Sequence, residues 1–145
     1  EAFGIVHFLQ LIHESESLFK PLIEQHGGRC VKHEGDSLLV LFDTPKQALN
    51  AAQAMTQATA DVNPGRAEED RIEICIGLGF GNVLCIDNNE VWGAEVNAAS
   101  KLGEEMAKAG EVLATDKMRR ALADEPFVEC GVLFGTRPVY RFSAL

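Results

Sequence analysis

The stretch GGRCVKHEGDSLLVLF, from Gly27 to Phe42, decides the fold of this chain. Two runs that are typical of strands, Arg29 to His33 and Leu38 to Phe42, flank the tetrapeptide EGDS. Apolar runs on both sides of a short polar turn predict a β-hairpin. Charged residues, Lys32 and Asp36 among them, crowd the end of this hairpin, so its tip is either a solvated turn or a binding site.

Helical patterns surround this hairpin. Apolar residues recur at three- and four-residue intervals from Gly4 to Gln25, which predicts an amphipathic helix that ends at a Gly-Gly pair. Thr44-Pro45 is typical of a helix N-cap followed by proline at the first helical position, and this helix is expected to continue through Ala60. A third helix is expected over about Gly93 to Ala109, and a short fourth helix starts at Thr115.

The second strand pattern centres on RIEICIGLGFGNVLCID, which begins at Arg71. It predicts two strands, before and after Gly77-x-Gly79-x-Gly81, closed into a second hairpin by Asp87-Asn88-Asn89. Glycines flanked by β-branched residues indicate a bend or a close approach of another backbone. Three further strands are expected: Glu111 to Ala114, Phe127 to Leu133 and Pro138 to Phe142.

Helices interleaved with hairpins predict an α/β fold of the α+β sandwich type, in which helices cover an antiparallel or mixed sheet. The 145 residues have the length of a single domain, and no internal repeat or low-complexity segment suggests another.

The composition excludes several classes of function. No apolar run approaches the length of a membrane span, so direct membrane insertion of this domain is not expected. The formal charge of −9 disfavours a nucleic-acid partner, because binding to a phosphate backbone depends on Lys and Arg. A single nucleotide held by a metal ion remains compatible with this charge. The four cysteines lie far apart without a C-x-x-C pair, which favours reduced, buried thiols and a cytoplasmic location.

Three stretches in order resemble the catalytic domain of class III nucleotidyl cyclases, the adenylate and guanylate cyclases: VKHEGDSLLVLF, IGLGFGNVL and EVWGAEVNAASKLGEEMAKAGEVLAT. Three motifs in the correct order are more specific than a lone G-x-G. The resemblance implies a ferredoxin-like βαββαβ core with additional C-terminal strands. It also implies a head-to-tail homodimer with shared active sites.

In this family, a metal-binding aspartate lies on the first strand, in a D-x-x-G-F-T segment ahead of the first helix. The helical pattern of this chain begins at Gly4, so the first strand is expected to be missing. Either the single cyclase domain over residues 1–145 is N-terminally incomplete, or the protein lacks half of its metal site.

Asp36 follows the glycine of EGDS and matches the family's second metal-binding aspartate. The resemblance implies two Mg²⁺ or Mn²⁺ ions per site, and both ions prefer hard oxygen ligands such as a carboxylate. Taken alone, the tetrapeptide would be better interpreted as a solvated turn.

Lys32 matches the lysine with which adenylate cyclases recognise adenine, whereas guanylate cyclases have Glu at that position. Its partner in the family is an acidic or small polar residue, and here it is Glu90 of EVWG in place of the usual Asp. The resemblance therefore implies ATP as the substrate. A lysine on a strand edge is more often only solubilising.

Asn97 and Lys101 are spaced i, i+4 and so lie on one face of the third helix. The family pattern V-N-x-A-x-R implies that Asn97 orients the ribose and that Lys101 replaces the arginine that stabilises charge on the phosphate. A salt bridge from Lys101 to Glu105 is a real alternative. Arg137 is a candidate for the family's C-terminal phosphate-binding lysine, and Trp92 is assigned to packing.

The resemblance thus implies a nucleotide cyclase that converts ATP to 3′,5′-cyclic AMP and pyrophosphate. Two alternatives stay open at this point. One is a catalytically degenerate cyclase-homology domain that binds nucleotide or dimerises to regulate an attached module. The other is an unrelated ferredoxin-like binding domain.

Overall fold

The computed structural model describes residues 2–11, 16–34, 37–86 and 90–143, with side chains at 18–31, 37–84 and 92–143. The strands are β1 Ala2–Leu11, β2 Arg29–Glu34, β3 Ser37–Phe42, β4 Ile74–Ile86, β5 Glu90–Trp92, β6 Val112–Thr115, β7 Phe127–Leu133 and β8 Arg137–Phe142. The α-helices are α1 Glu16–Gln25, α2 Pro45–Val62, α3 Ala94–Lys101 and α4 Asp116–Ala121. A 3-10 turn spans Glu68–Asp70, and a π-helical turn at Leu102–Met106 extends α3.

The strands form one mixed sheet in the order β2-β3-β1-β4-β6-β8-β7, and β5 pairs with β4 outside this path. Strands β4 and β6 are parallel, whereas the other pairs are antiparallel. The first four strands with α1 and α2 make the expected ferredoxin-like core, and the later strands extend it. The predicted α+β sandwich is therefore confirmed.

Strand β1 corrects the prediction for the start of the chain. Residues 2–11 do not belong to an amphipathic helix, because they form a strand between β3 and β4 and pair with both. The reason is that AFGIVHFLQL is nearly apolar throughout, and such a run is compatible with either a buried strand or a helix. Helix α1 begins only at Glu16. The first strand is thus present in the chain, and the expectation that it is missing was wrong.

The core lies on both faces of the sheet, as the alternation along β3 requires. Leu38, Val40 and Phe42 join the larger cluster, which includes buried residues of α1, α2 and α4. Leu39 and Leu41 join a smaller cluster with residues of α3. The sheet is therefore a central layer with helices on both sides.

Local signals explain the ends of the elements. Thr44 caps α2 as predicted, since its hydroxyl accepts the N–H of Gln47 while the Gln47 side chain accepts the N–H of Thr44. The stretch around the three glycines is one continuous strand, not two, because β4 runs through it without a turn. The pairing of Ile86 with Glu90 confirms the second hairpin, although residues 87–89 lie outside the described part of the chain.

The expectation of buried cysteines holds only in part. Cys75 is buried, but Cys30 and Cys130 are exposed, because both lie on strands near the sheet edges. The side chain of Cys85 lies outside the described residues.

The placement of β1 can be tested by hydrogen exchange. Backbone amides of residues 2–11 are expected to exchange as slowly as those of β4, because β1 has strand neighbours on both sides. Mass spectrometry of peptides covering 2–11, with the exposed loop 64–71 as the fast reference, measures this. Exchange of 2–11 at the rate of that loop would contradict a central β1.

Candidate active site

A row of glycines on β4 forms the surface on which helix α3 packs. Gly77, Gly79 and Gly81 alternate along the strand and so share one face of the sheet. A Cβ at Gly77 would clash with the carbonyl oxygen of Ala99, and a Cβ at Gly79 would lie 2.8 Å from the carbonyl oxygen of Glu95. The backbone of α3 therefore lies directly on the strand, which confirms the close approach indicated by the sequence.

Glu95 is the charged residue of α3 that faces this glycine surface of β4. Its exposed fraction is 2%, and it lies on the same helix face as the buried residues Ala98, Ala99 and Leu102. One carboxylate oxygen, Oε1, accepts the N–H of Phe80 at 3.1 Å and the hydroxyl of Thr115 at 2.7 Å. Glu95 thus joins α3 to β4 and β6.

Arg137 on β8 completes this polar cluster. Its Nη2 donates to Oε2 of Glu95 at 2.7 Å and to Oδ1 of Asp116 at 2.6 Å, and its Nε donates to the same Asp116 oxygen at 3.0 Å. The guanidinium is therefore occupied by two carboxylates of its own chain. This arrangement disfavours Arg137 as the substitute for the family's phosphate-binding lysine.

The ion pair between Asp116 and Arg137 perturbs the acid–base properties of both residues. Burial alone would raise the pKa of Asp116, but the hydrogen bond and the charge of Arg137 outweigh it and hold this pKa below its usual value. Burial alone would lower the pKa of Arg137, but hydrogen bonds to Asp116 and Glu95 raise it. Both groups are therefore stabilised in their charged forms.

Asn97 and Lys101 lie on the opposite, outward side of α3. Asn97 is exposed, and the Lys101 side chain is 40% exposed. The ammonium of Lys101 lies 3.8 Å from Oε1 of Glu105, so the salt bridge considered from the sequence is present. The same ammonium lies 5.5 Å from the ring centroid of Phe134, on the turn between β7 and β8.

The other predicted site residues are described only in part. Lys32 lies on β2 next to an irregularity in its pairing with β3, and Glu90 opens β5. Strands β2 and β5 approach each other to within 8 Å between Cα atoms. The side chains of Lys32 and Glu90 lie outside the described residues, as does Asp36.

Sequence reasoning missed Glu95, Phe134 and the role of Arg137. A signal existed for Glu95, because apolar residues follow it after three, four and seven positions, at Ala98, Ala99 and Leu102. This spacing places Glu95 on the apolar face of the helix and so predicts a buried carboxylate. Trp92, which was assigned to packing, is 59% exposed on a short strand at the margin of the sheet, so it is not packed within this chain.

Within the described residues, no group of three or more His, Cys, Asp and Glu side chains is arranged to hold a metal ion. Asp36, the predicted metal ligand, lies outside the described residues. None of the helices described has both the length and the apolar character of a membrane span.

The packing of α3 on the glycines of β4 predicts that stability is sensitive to substitution of these glycines. Gly77→Ala is expected to lower the free energy of unfolding by about 1–3 kcal/mol, because the added methyl group collides with the backbone of α3. Gly131→Ala is the matched control, since its Cβ would meet only the methyl end of Met106 at 3.5 Å. Urea denaturation measures both variants. Equal effects of the two substitutions would contradict the close contact between the backbones of α3 and β4.

Asp116 predicts a pH dependence of stability. The pKa of Asp116 is lower in the folded state than in the unfolded state. Its contribution to the free energy of unfolding is therefore fully present above the unfolded pKa of about 3.9, and it is lost as the pH falls through the pKa of the folded state. Asp116→Asn should therefore flatten the acid limb of the stability curve below about pH 4. Arg120→Met, which removes the weaker and more exposed partner at 3.5 Å, should leave that limb nearly unchanged. A wild-type acid limb in Asp116→Asn would show that Asp116 contributes nothing.

Comparison with known proteins places these features in a family. The model of the adenylate and guanylate cyclase catalytic domain matches residues 2–133. A putative adenylate cyclase 3 of Rhizobium meliloti is 29% identical over 119 residues, which cover 80% of this chain but only 20% of that protein. This chain therefore spans about a fifth of the length of that relative.

Solved structures show the same fold. An adenylate/guanylate cyclase/hydrolase from Silicibacter pomeroyi superposes with a TM-score of 0.85 at 23% identity, over 98% of this chain and 96% of that chain. The guanylate cyclase domain of RhGC from Catenaria anguillulae, solved in complex with GTP, gives 0.76 at 18% identity, over 99% and 97% of the two chains. Because the family model covers most of the sequence, the chain belongs to the adenylate and guanylate cyclase catalytic domain family.

Proposed function

We propose that this domain converts ATP to 3′,5′-cyclic AMP and pyrophosphate, as the catalytic module of a longer cytoplasmic signalling protein. The observation that carries the proposal is the presentation of Asn97 and Lys101. The glycine row and Glu95 fix one face of α3 on the sheet, so the other face must carry these two side chains outward. In a member of this family, that exposed face is the one expected to meet the nucleotide.

Cyclisation requires the 3′-hydroxyl of the ribose to attack the α-phosphorus while pyrophosphate leaves, and most of the barrier concerns charge and alignment. Asn97 would orient the ribose, and Lys101 would stabilise negative charge on the transferring phosphate as a point charge. Asp36 would hold two Mg²⁺ or Mn²⁺ ions, which supply further charge neutralisation when bound.

The preference for adenine rests on Lys32 and Glu90. Both lie on strands that approach each other, so a single base could contact the two side chains. A lysine donates to ring acceptors of adenine, and a carboxylate accepts from its amino group. The curated relative named as a putative adenylate cyclase supports ATP, whereas the solved domain with bound GTP shows that this fold also takes guanine.

Asp36 and Lys32 are four residues apart on one hairpin, at about 3.3 Å per residue. In the family, the metal aspartates and the base-recognising pair of one site come from different subunits. We therefore propose a two-fold homodimer in which one hairpin serves two sites, with Asp36 facing one nucleotide and Lys32 the other. A self-complementary pairing of this kind closes on itself.

A second candidate function is a degenerate cyclase-homology domain that binds nucleotide without turnover. Two observations favour it. Arg137 is engaged by Glu95 and Asp116, and Lys101 lacks the bidentate fork of the family's arginine while it contacts Glu105. Both features reduce the positive charge available to the phosphates.

One set of assays separates the two candidates. Cyclic AMP and cyclic GMP formation by this chain is measured with Mn²⁺ present. Asp36→Ala is expected to lower kcat by on the order of 100-fold or more without loss of folding, because a metal ligand is removed. Asp124→Ala, which removes an exposed carboxylate in the turn after α4, is the matched control.

Mixing inactive Asp36→Ala with inactive Asn97→Ala subunits should restore one intact site per heterodimer. No recovery, with heterodimers confirmed, would refute shared sites. A wild-type protein that shows an ATP-dependent thermal shift but forms no cyclic nucleotide would establish the degenerate module instead.

A further inference from the structure

The turn between β7 and β8 has a backbone conformation that its sequence does not favour. The N–H of Thr136 donates to the carbonyl of Leu133 at 3.3 Å, and the two central residues, Phe134 and Gly135, have φ values of 53° and 78°. Positive φ at both central positions defines a type I′ turn, which prefers Asn, Asp or Gly. Among the described residues, Phe134 is the one non-glycine residue with positive φ.

Burial does not explain the choice of phenylalanine at this strained position. Phe134 is 55% exposed, so much of the hydrophobic gain that a phenylalanine can supply is absent. The ring does have a charged neighbour, since the Lys101 ammonium lies 5.5 Å from its centroid. This distance is within the range of a cation–π interaction.

Lys101 needs such a neighbour if it is to act on a phosphate. Its side chain has four rotatable bonds, and its ion pair with Glu105 is long, at 3.8 Å, and exposed on both sides. A weak surface pair of this kind does not fix an ammonium in one place. The aromatic ring contacts it from a different element, the β7–β8 turn, and so restricts it further.

We propose that Phe134 is a positioning residue for Lys101, and that its ring holds the ammonium on the outward side of α3 where the transferring phosphate is stabilised. The inference rests on the proposed function. Backbone strain at functional sites persists where it contributes to the mechanism, and here the strain places an aromatic ring at the tip of the turn. Asparagine at this position would favour the turn but could not hold the ammonium.

The test exploits this opposition between stability and activity. Phe134→Asn is expected to raise Tm, because Asn tolerates positive φ, and to lower kcat about two- to fivefold at nearly unchanged KM for ATP. Phe134→Leu keeps the backbone strain without the ring, so it should lower kcat similarly without raising Tm. Phe134→Tyr keeps the ring and should restore kcat. Unchanged kcat in both Phe134→Asn and Phe134→Leu would overturn the proposal.

A double-mutant cycle shows whether the ring acts through the lysine. In a Lys101→Met background, Phe134→Asn should cause no further loss of kcat, since the ammonium is already absent. An equal loss in both backgrounds would refute positioning. Independently of turnover, the ε-methylene protons of Lys101 should show an upfield ring-current shift that Phe134→Asn abolishes. A wild-type protein with this shift but no cyclic nucleotide product would refute the proposed function, whereas an active protein without the shift would refute the role of Phe134.

Discussion

The absence of side chains at Gly77, Gly79 and Gly81 is the constraint on which the rest of the site depends. It allows two backbones to approach to a distance that a Cβ at Gly77 or Gly79 would prevent. Once α3 lies in contact with the strand, its orientation about its own axis is fixed by what can be buried there. The three glycines are therefore a requirement for the helix position and do not form a phosphate-binding loop.

The orientation of α3 is specified by a charge. A buried carboxylate is costly unless its oxygens are paired, and Glu95 satisfies both oxygens with donors from β4, β6 and β8. Breaking such a pair by removing one partner leaves an uncompensated charge, although replacing both partners can be nearly neutral. The cluster is thus better understood as a device that selects one rotation of the helix than as a large source of stability.

The sequence was informative where local rules decide the structure and misleading where tertiary pairing decides it. The Thr44 cap, the hairpin from Gly27 to Phe42 and the close approach at the glycines follow from local chemistry. The strand at residues 2–11 does not, because an almost uniformly apolar segment has no period that separates a helix from a strand, and pairing with β3 and β4 determines the outcome. For the candidate site, a motif predicted Asn97 and Lys101 as functional residues. The partners of Arg137, in contrast, are 42 and 21 residues away along the chain, and no local pattern connects them.

The replacement of arginine by lysine at position 101 links these observations. A guanidinium is planar and pre-organised, so it keeps its geometry with little help, whereas an ammonium on a flexible stem must be held by its surroundings. The nearby arginine cannot assist, because Arg137 is required to balance Glu95 and thereby to hold α3. Under the proposed function, the chain therefore separates two tasks: the arginine at the start of β8 holds the helix, and the phenylalanine three residues earlier restricts the cation that the helix carries.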